Sequence, residues 1–267
     1  MFWNLLLIIS IVCLILSAVG FIKYVYFMSV GYGFAVAGGG ITILVLALQN
    51  GWTEGVLWLA IAQTLLFIVY GARLSGFLLV REFKNAGFQK EMKNKKGGFE
   101  KLPVFVSIPI WVGVSALYTA QVSPMLYRYA NQSKDFVVPV IGMIVSVCGI
   151  ILESAADKQK SEQKKSNPKM VATQGLYKIV RCPNYLGEII FWTGIFISGI
   201  TAYTGAGQWT MAIIAYICII FIMFNGAQRL EKRQMARYGE DKAYKKYADN
   251  TPIIIPLLPI YHLNKTA

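Results

Sequence analysis

The residues best suited to chemistry lie in one segment that starts at Gly175 and reads GLYKIVRCPNYLGEIIFWTGIF. Arg181 and Asn184 belong to its polar loop, and Glu188 follows inside the apolar helix that the loop enters. A carboxylate at the edge of a membrane-spanning helix is costly in hydrocarbon, so it indicates a polar cavity or a bound ligand. We therefore expect these three side chains to line the floor of a binding site.

A second polar cluster is the pair Glu153 and Asp157, which is followed by several lysines. A spacing of four residues places both carboxylates on one face of a helix, where like charges repel each other. A shared partner such as sugar hydroxyls or a cation would explain the pair. The alternative interpretation is that the two carboxylates only offset the lysines that follow.

A third cluster is the tail from Arg229 onward, which reads RLEKRQMARYGEDKAYKKYADNTPIIIP. Its pattern predicts an amphipathic helix that ends before Pro252. Polar and aromatic candidates on this helix are Glu231, Arg233, Tyr244 and Tyr247. The alternative is a helix that lies on the membrane surface with snorkelling lysines and aromatic side chains.

Seven apolar segments must position these residues. Hydrophobic residues make up 56% of the chain, and apolar runs of about 20 residues, the length that crosses a bilayer, recur along it. The sequence predicts an all-α integral membrane protein, with one membrane-embedded domain over residues 1–267 and a cofactor-binding half at about 136–260. The glycines Gly38–Gly40 predict close helix packing. Spans are predicted at roughly 4–24, 31–50, 54–73, 102–121, 136–154, 185–203 and 208–227.

The distribution of positive charge predicts the orientation of these spans. Lys and Arg concentrate in three segments, at 73–101, at 154–181 and from 229 onward. The positive-inside rule places these segments in the cytoplasm, with the N-terminus outside and the C-terminus inside. The net charge of +13 therefore reflects topology and attraction to anionic membrane lipids rather than nucleic-acid binding. We expect a multi-pass protein, in the cytoplasmic (inner) membrane if the protein is bacterial.

Cysteine and histidine usage argues against several kinds of site. Three of the four cysteines fall inside apolar spans, and the chain contains no CxxC pair. The sequence therefore predicts neither a metal site nor a disulfide framework. The single histidine, His262, lies close to the C-terminus, which argues against a histidine-based catalytic mechanism.

The order of the polar motifs resembles the steroid 5-alpha-reductase family, and most closely its bacterial branch of uncharacterised membrane proteins. The motifs are ExxAD-x-QK from Glu153, GLY-x(3)-R-x-PNYLGE from Gly175, and LEKR-x(4)-YG-x(4)-Y-x-x-Y-x(3)-T-x(4)-P in the tail. The resemblance covers roughly residues 66–260. The family signature Arg-His-Pro-Asn-Tyr-x-Gly-Glu stands here with Cys182 in place of His. Residues 31–50 contain no counterpart of the family's substrate-binding acidic residue.

The resemblance implies reduction of a carbon–carbon double bond conjugated to a carbonyl, with hydride from NADPH. It also implies an apolar lipid or steroid-like substrate that enters from the bilayer. Hydride addition leaves negative charge on the carbonyl oxygen, which a positioned hydroxyl donor stabilises. Tyr70 is the candidate donor, because Tyr70-Gly-Ala-Arg73 resembles the family's Tyr-x-x-Arg region. The alternative for Tyr70 is an interfacial tyrosine. Candidates for substrate contact are Arg73 and Trp192.

The resemblance implies a set of NADPH-binding residues as well. Asn184 and Glu188 are candidates for the nicotinamide amide or a ribose, and Glu153 and Asp157 for ribose hydroxyls. Candidates for neutralising the phosphates are Lys164, Arg181, Arg229 and Arg233. Tyr185, Glu231, Tyr244 and Tyr247 complete the expected cofactor site. Since no GxGxxG motif follows a strand, the NADPH assignment depends on the resemblance.

Two other functions fit the sequence. Isoprenylcysteine carboxyl methyltransferases and related membrane methyltransferases pair a similar Arg-His-Pro-x-Tyr-x-Gly loop with a tail helix, and they bind S-adenosylmethionine. The acidic pair, the Asn184 to Glu188 spacing and the seven-span length favour the reductase. The third possibility is a lipid-binding membrane protein without turnover, which Cys182 and the missing second-span acid favour.

Overall fold

The computed structural model describes residues 2–84 and 103–264, and the regular structure in these residues is entirely helical. The α-helices are α1 (Phe2–Ser17), α2 (Val30–Gln49), α3 (Leu57–Lys84), α4 (Val104–Ala130), α5 (Val137–Ser166), α6 (Pro183–Gly199), α7 (Ala206–Tyr238) and α8 (Lys242–Asn250). Short 3-10 helices occur at Ala18–Phe21, Tyr24–Met28, Gly175–Lys178 and Ile200–Ala202. The all-helical fold predicted from the sequence is confirmed for the described residues.

Within residues 2–84 and 103–264, seven helical segments are long and apolar enough to cross a membrane, in agreement with the predicted span count. Their bounds are Asn4–Phe21, Tyr24–Gln49, Leu57–Gly76, Val104–Ala130, Val137–Ser166, Pro183–Ala202 and Ala206–Tyr238. The fifth and seventh helices extend well beyond their apolar parts, because Lys, Glu, Gln and Arg are good helix formers. The orientation stays a prediction, and the basic residues between 85 and 101 lie outside the described residues.

The chain forms two compact units. The first comprises residues 1–143 and 195–215, and the second comprises residues 144–194 and 216–267. All candidates for cofactor binding belong to the second unit, as does Trp192, whereas Tyr70 and Arg73 belong to the first. The expectations of a single domain and of a cofactor-binding half stay predictions.

Glycines allow α2 to approach its neighbours closely in the first unit. A Cβ atom on Gly40 would lie 2.8 Å from the ring of Phe67 in α3, and one on Gly39 would lie 3.2 Å from Val122 in α4. Real Cβ atoms rarely approach other atoms so closely, so larger residues would separate these helices. The close packing predicted for Gly38–Gly40 is therefore present.

A buried arginine at the end of α4 joins several segments of the first unit. Arg128 is fully buried, and its guanidinium donates hydrogen bonds to the carbonyl of Ser198 at 2.7 Å and to Thr201 Oγ1 at 2.8 Å. It also donates to the carbonyl of Asp135 at 2.8 Å. These bonds offset the loss of hydration that a buried charge suffers. Arg128 therefore has a structural role that explains its position outside the three basic segments.

Two glycines allow α5 and α6 to pack closely in the second unit. A Cβ atom on Gly187 would lie 2.8 Å from both the Cβ of Glu153 and the carbonyl oxygen of Gly149. The Ser146 hydroxyl donates to the carbonyl of Phe191 across the same contact, at 2.9 Å. This packing fixes Glu153 against the first turns of α6.

The chain after α8 folds back against the loop that precedes α6. The backbone N–H groups of Arg181 and Cys182 donate to the carbonyls of Pro252 and Ile253, each at 2.8 Å. The segment continues to residue 264, and we call residues 251–264 the C-terminal segment. It holds the loop in place at the point where Pro183, whose fixed φ suits the first helical position, begins α6.

Candidate functional site

An ion pair between Arg181 and Glu231 lies at the centre of the polar residues of the second unit. The Nη2 atom of Arg181 lies 2.7 Å from Oε1 of Glu231, and both side chains are only 3% exposed. The same nitrogen donates to the carbonyl of Tyr261. The Nε atom of Arg181 is buried without a hydrogen-bond partner in the described part of the chain. The Nε–H group of Arg181 therefore remains available to a further acceptor.

Glu231 accepts most of its hydrogen bonds from the C-terminal segment. The backbone N–H groups of Leu263 and Asn264 donate to its Oε2 at 2.9 and 3.0 Å, and the side-chain amide of Asn264 donates at 2.8 Å. The sequence predicted that Arg181 and Glu231 bind a cofactor. In the structure these two predicted residues contact each other and are covered by residues 261–264 of the C-terminal segment.

His262 bridges two carboxylates beside this ion pair. Its Nδ1 lies 3.0 Å from Glu231 Oε1, and its Nε2 lies 3.0 Å from Asp249 Oδ1. Because only a protonated imidazole has two N–H donors, the charged form of His262 satisfies both contacts. The sequence analysis argued against a catalytic role for His262 and did not identify Asp249 or Asn264 as site residues. The available signal was the run of prolines at 252, 256 and 259, which prevents a helix and favours a chain that folds back.

Two predicted tyrosines of α8 lie in the same cluster. Tyr244 is fully buried, and its hydroxyl has no hydrogen-bond partner among the described residues. Burial raises the pKa of Tyr244, while the nearby Arg181 charge acts to lower it. The hydroxyl of Tyr247 donates to the carbonyl of Tyr177 at 2.7 Å, and burial raises the pKa of Tyr247 as well. Both tyrosines therefore remain neutral hydrogen-bond donors near neutral pH.

Lys164 is connected to this cluster through an aromatic side chain. Its Nζ donates to the hydroxyl of Tyr238 at 2.9 Å and to the carbonyl of Met170. The ring of Tyr238 lies 5.9 Å from that of Tyr244, measured between centroids. The predicted residues Lys164, Tyr244, Arg181 and Glu231 thus form one connected group of side chains.

Two buried carboxylates lie where α5 packs against α6. Glu188 and Glu153 are both buried, and Gly187 next to Glu188 contacts Glu153 directly. The indole N–H of Trp192, one turn further along α6, donates to Glu188 Oε1 at 3.2 Å. Trp192 was predicted to bind substrate, and the structure places its polar atom on Glu188.

The other predicted cofactor residues are more accessible to solvent. Asn184, Tyr185 and Asp157 are half-buried, and Arg229 and Arg233 are exposed on α7. The ring of Tyr185 would lie 3.3 Å from a Cβ atom on Gly226, so it packs closely against α7. Arg229 and Arg233 therefore do not belong to the buried group of side chains around the Arg181–Glu231 ion pair.

Cys182 occupies the position of the histidine in the resembled signature. It is buried in an apolar cluster with Ile189, Ala227, Ile253 and Ile254. Burial raises the pKa of the Cys182 thiol to about 12, against the opposing charges of Arg181 and Lys160. The thiol is therefore neutral, and this position supplies packing rather than a general base.

Tyr70 lies in an aromatic cluster of the first unit. Its side chain is fully buried, and its ring packs edge-on against Tyr32 at 5.9 Å between centroids. Tyr32 stacks on Tyr118 at 4.8 Å, and the Tyr118 hydroxyl donates to the carbonyl of Phe27 at 2.6 Å. Full burial does not fit a tyrosine that faces the membrane interface. Arg73, the other candidate in this unit, is half-buried on the same helix.

The chemistry of the second unit suits a ligand with both hydroxyl and phosphate groups. It combines buried carboxylates that accept hydrogen bonds, a buried guanidinium, and neutral tyrosine hydroxyls. Within residues 2–84 and 103–264 no group of three or more His, Cys, Asp or Glu side chains is placed to hold a metal ion.

Comparison with known proteins gives one family and one relative. A family described as "Protein of unknown function (DUF1295)" matches residues 32–251. The chain is similar to the steroid 5-alpha-reductase DET2 of Arabidopsis thaliana, with 27% identity over 121 residues. The aligned part is 45% of this chain and 41% of that protein, so the chain matches less than half of this relative's length. No solved structure matches the chain significantly.

Proposed function

The chain belongs to the DUF1295 family, which is steroid 5-alpha-reductase-like, and on that basis we propose that it is a membrane reductase. The similarity to the plant steroid 5-alpha-reductase supports an oxidoreductase of this kind. The bond that is reduced is a carbon–carbon double bond conjugated to a carbonyl. The substrate is a steroid-like or other apolar lipid that enters from the bilayer, and the reductant is NADPH.

The observation that supports a cofactor site most directly is the presence of unpaired buried donors next to the ion pair. Arg181 Nε and the Tyr244 hydroxyl are buried without hydrogen-bond partners in the described residues. Leaving such a group unpaired costs about 1–3 kcal/mol, which a ligand oxygen can recover. Phosphate oxygens are strong acceptors for arginine. The residues present therefore fit a phosphorylated cofactor.

Nine of the predicted residues have an assigned role in this proposal. Lys164, Arg181, Arg229 and Arg233 neutralise phosphates. Glu153 and Asp157 accept hydrogen bonds from ribose hydroxyls, and Asn184 and Glu188 hold the nicotinamide amide or a ribose. NADPH, when bound, supplies the hydride. Tyr70 donates a hydrogen bond to the substrate carbonyl oxygen and stabilises the negative charge that forms there.

We also propose that the N-terminus is outside and the C-terminus is in the cytoplasm. The basic residues from 154 to 181 and from 229 onward lie on one side of a seven-span topology, and the positive-inside rule assigns that side to the cytoplasm. A green fluorescent protein fused to the C-terminus is expected to fluoresce, and an alkaline phosphatase fusion at the same position is expected to be inactive. The reverse pattern would exclude this orientation.

The function is tested with the purified full-length protein in detergent. We expect NADPH to raise the melting temperature, because a ligand that binds only the native state stabilises it, by about 2.7 kcal/mol at 100 times its dissociation constant. With progesterone as a test enone, tritium from NADPH labelled at nicotinamide C4 is expected in the reduced steroid. NADH serves as the matched control for the contribution of the 2′-phosphate.

The same experiment separates the alternative functions. S-adenosylmethionine labelled in its methyl group would transfer label to an acceptor if the chain were a methyltransferase. A protein that binds lipid without turnover would be stabilised by progesterone but not by NADPH. Either result would rule out the reductase assignment.

A further inference from the structure

A buried glutamine in the first unit has no hydrogen-bond partner. Gln121 on α4 is 3% exposed, and neither its Nε2 nor its Oε1 has a partner in the described residues. It lies nine residues, about 14 Å, from the end of α4, which places it inside the hydrocarbon layer. Gln121 is buried in the protein rather than exposed to bulk water, so an unpaired amide at this depth is unfavourable.

A second buried glutamine in the same unit has a hydrogen-bonded side chain, as is usual for buried polar groups. Gln63 on α3 is also 3% exposed, and its Oε1 accepts a hydrogen bond from the Tyr129 hydroxyl at 2.7 Å. The two glutamines share residue type, burial and unit, and they differ in whether their amides are paired. Burial alone therefore does not account for the unpaired state of Gln121.

The helix backbone near Gln121 does not need a hydrogen bond from the Gln121 side-chain amide either. Pro124 cannot donate the helical hydrogen bond to the carbonyl of Ala120. The hydroxyl of Ser123 donates to that carbonyl instead, at 2.8 Å. The Ala120 carbonyl is thus hydrogen-bonded without Gln121, whose side-chain amide remains available to another partner.

Helix geometry places Gln121 at the same depth as Tyr70. The Gln63–Tyr129 hydrogen bond fixes the register of α3 and α4, which as consecutive spans run in opposite directions. Tyr70 is seven residues beyond Gln63, and Gln121 is eight residues before Tyr129, so both lie about 10–12 Å from that bond on the same side. The contacts of Tyr70 with Tyr32 and of Tyr32 with Tyr118 connect α3 to α4 at this level.

We infer that Gln121 binds an oxygen atom of the apolar substrate, with its Nε2 donating to a carbonyl or hydroxyl oxygen. This inference depends on the proposed reductase function. It adds a residue that orients the substrate, on a helix to which the sequence assigned no site residue. Because a polar substrate group replaces missing hydrogen bonds, Gln121 favours oxygen-bearing lipids over hydrocarbons of the same shape.

The test compares Gln121→Met with the matched control Gln63→Met in the full-length protein. Binding of tritiated progesterone is measured by equilibrium dialysis in detergent, without NADPH, together with the melting temperature. Gln121→Met should weaken progesterone binding about 10-fold, the effect of one hydrogen bond, and leave the melting temperature equal or higher. Gln63→Met should lower the melting temperature, since it loses the Tyr129 bond, and leave progesterone binding unchanged.

Each outcome has a definite meaning. Unchanged progesterone binding by Gln121→Met would overturn the inference, and a lower melting temperature with unchanged binding would indicate a buried water only. If Gln121→Met does not fold, Gln121→Asn, which keeps the amide but shortens its reach by one methylene, should show the same loss of binding. No progesterone binding by the wild-type protein would also overturn the inference. The proposed function fails separately, through the absence of NADPH stabilisation.

Discussion

Tyr70→Phe is expected to lower kcat for the reduction of progesterone by about 100- to 1000-fold, the usual effect of removing a donor that faces a developing oxyanion. The hydride adds to the carbon–carbon double bond, and the displaced electron pair moves to the carbonyl oxygen. A hydroxyl in a buried, low-dielectric setting stabilises this charge more strongly than water does. Tyr70 is fully buried, so its hydroxyl meets this condition. Single-turnover kinetics with NADPH in excess measures the chemical step.

The matched control is Tyr118→Phe, which removes a hydroxyl from the same aromatic cluster. The Tyr118 hydroxyl donates to the backbone carbonyl of Phe27, so its loss leaves a buried acceptor unpaired and should lower the melting temperature. Turnover should persist in this variant. If Tyr70→Phe retains full NADPH-dependent turnover, Tyr70 has no part in the mechanism. If both variants lose activity equally, the loss follows from general disruption of the aromatic cluster and not from a specific role of the Tyr70 hydroxyl.

The seven spans were predictable because a membrane imposes a simple length and polarity rule. A run of about 20 apolar residues is recognisable without any tertiary information. The extents of α5 and α7 were less predictable. Both continue to Ser166 and Tyr238 through charged residues with high helix propensity, where no apolar periodicity marks the end. Lys164, Glu231 and Arg233 therefore lie on extensions of spanning helices, and the tail that was predicted as one amphipathic helix is divided between α7 and α8.

The candidate site was predictable in residue type but not in pairing. Arg181, Glu231 and Tyr244 were singled out by their motifs, and the structure brings these three side chains together. The partners from the C-terminal segment were missed, because contacts such as Glu231 with His262 join residues 31 positions apart. Chain reversal after Pro252 determines these contacts, and local patterns do not encode where a returning segment docks. The same limit applies to Gln121, whose unpaired state depends on the rotation of α4 against its neighbours.

The contacts that Arg181 already makes limit how its guanidinium could bind a ligand. Its Nη2 already contacts Glu231 and Tyr261, whereas its buried Nε has no partner among the described residues. A phosphate that bound this guanidinium without displacing these contacts would therefore use nitrogens other than Nη2. The ion pair with Glu231 fixes the guanidinium plane, which reduces the entropy lost on binding a ligand. Glu231 is thus expected to act first as a structural anchor for Arg181.

Glu231→Gln is expected to lower the free energy of unfolding by about 3–5 kcal/mol, the usual effect of breaking a buried ion pair by removing one charge. The substitution leaves Arg181 buried without its counter-ion. Gln keeps only one of the two acceptor oxygens, so it cannot accept at once from Arg181 at one position and from the N–H groups of Leu263 and Asn264 at the other. The midpoint of thermal or denaturant unfolding in detergent measures the effect. Limited proteolysis should show earlier cleavage in the C-terminal segment, which loses its main contact.

The control for this prediction is Glu240→Gln, the same loss of charge at an exposed position, which should change stability by no more than about 0.5 kcal/mol. A double-mutant cycle with Arg181→Met isolates the pair. Because Arg181→Met removes the charge that Glu231→Gln leaves unpaired, the double variant should lose less stability than the sum of the two single losses. Equal stability of Glu231→Gln and Glu240→Gln would mean that the ion pair does not hold the C-terminal segment. Strict additivity of the two substitutions would mean that Arg181 and Glu231 are not energetically coupled.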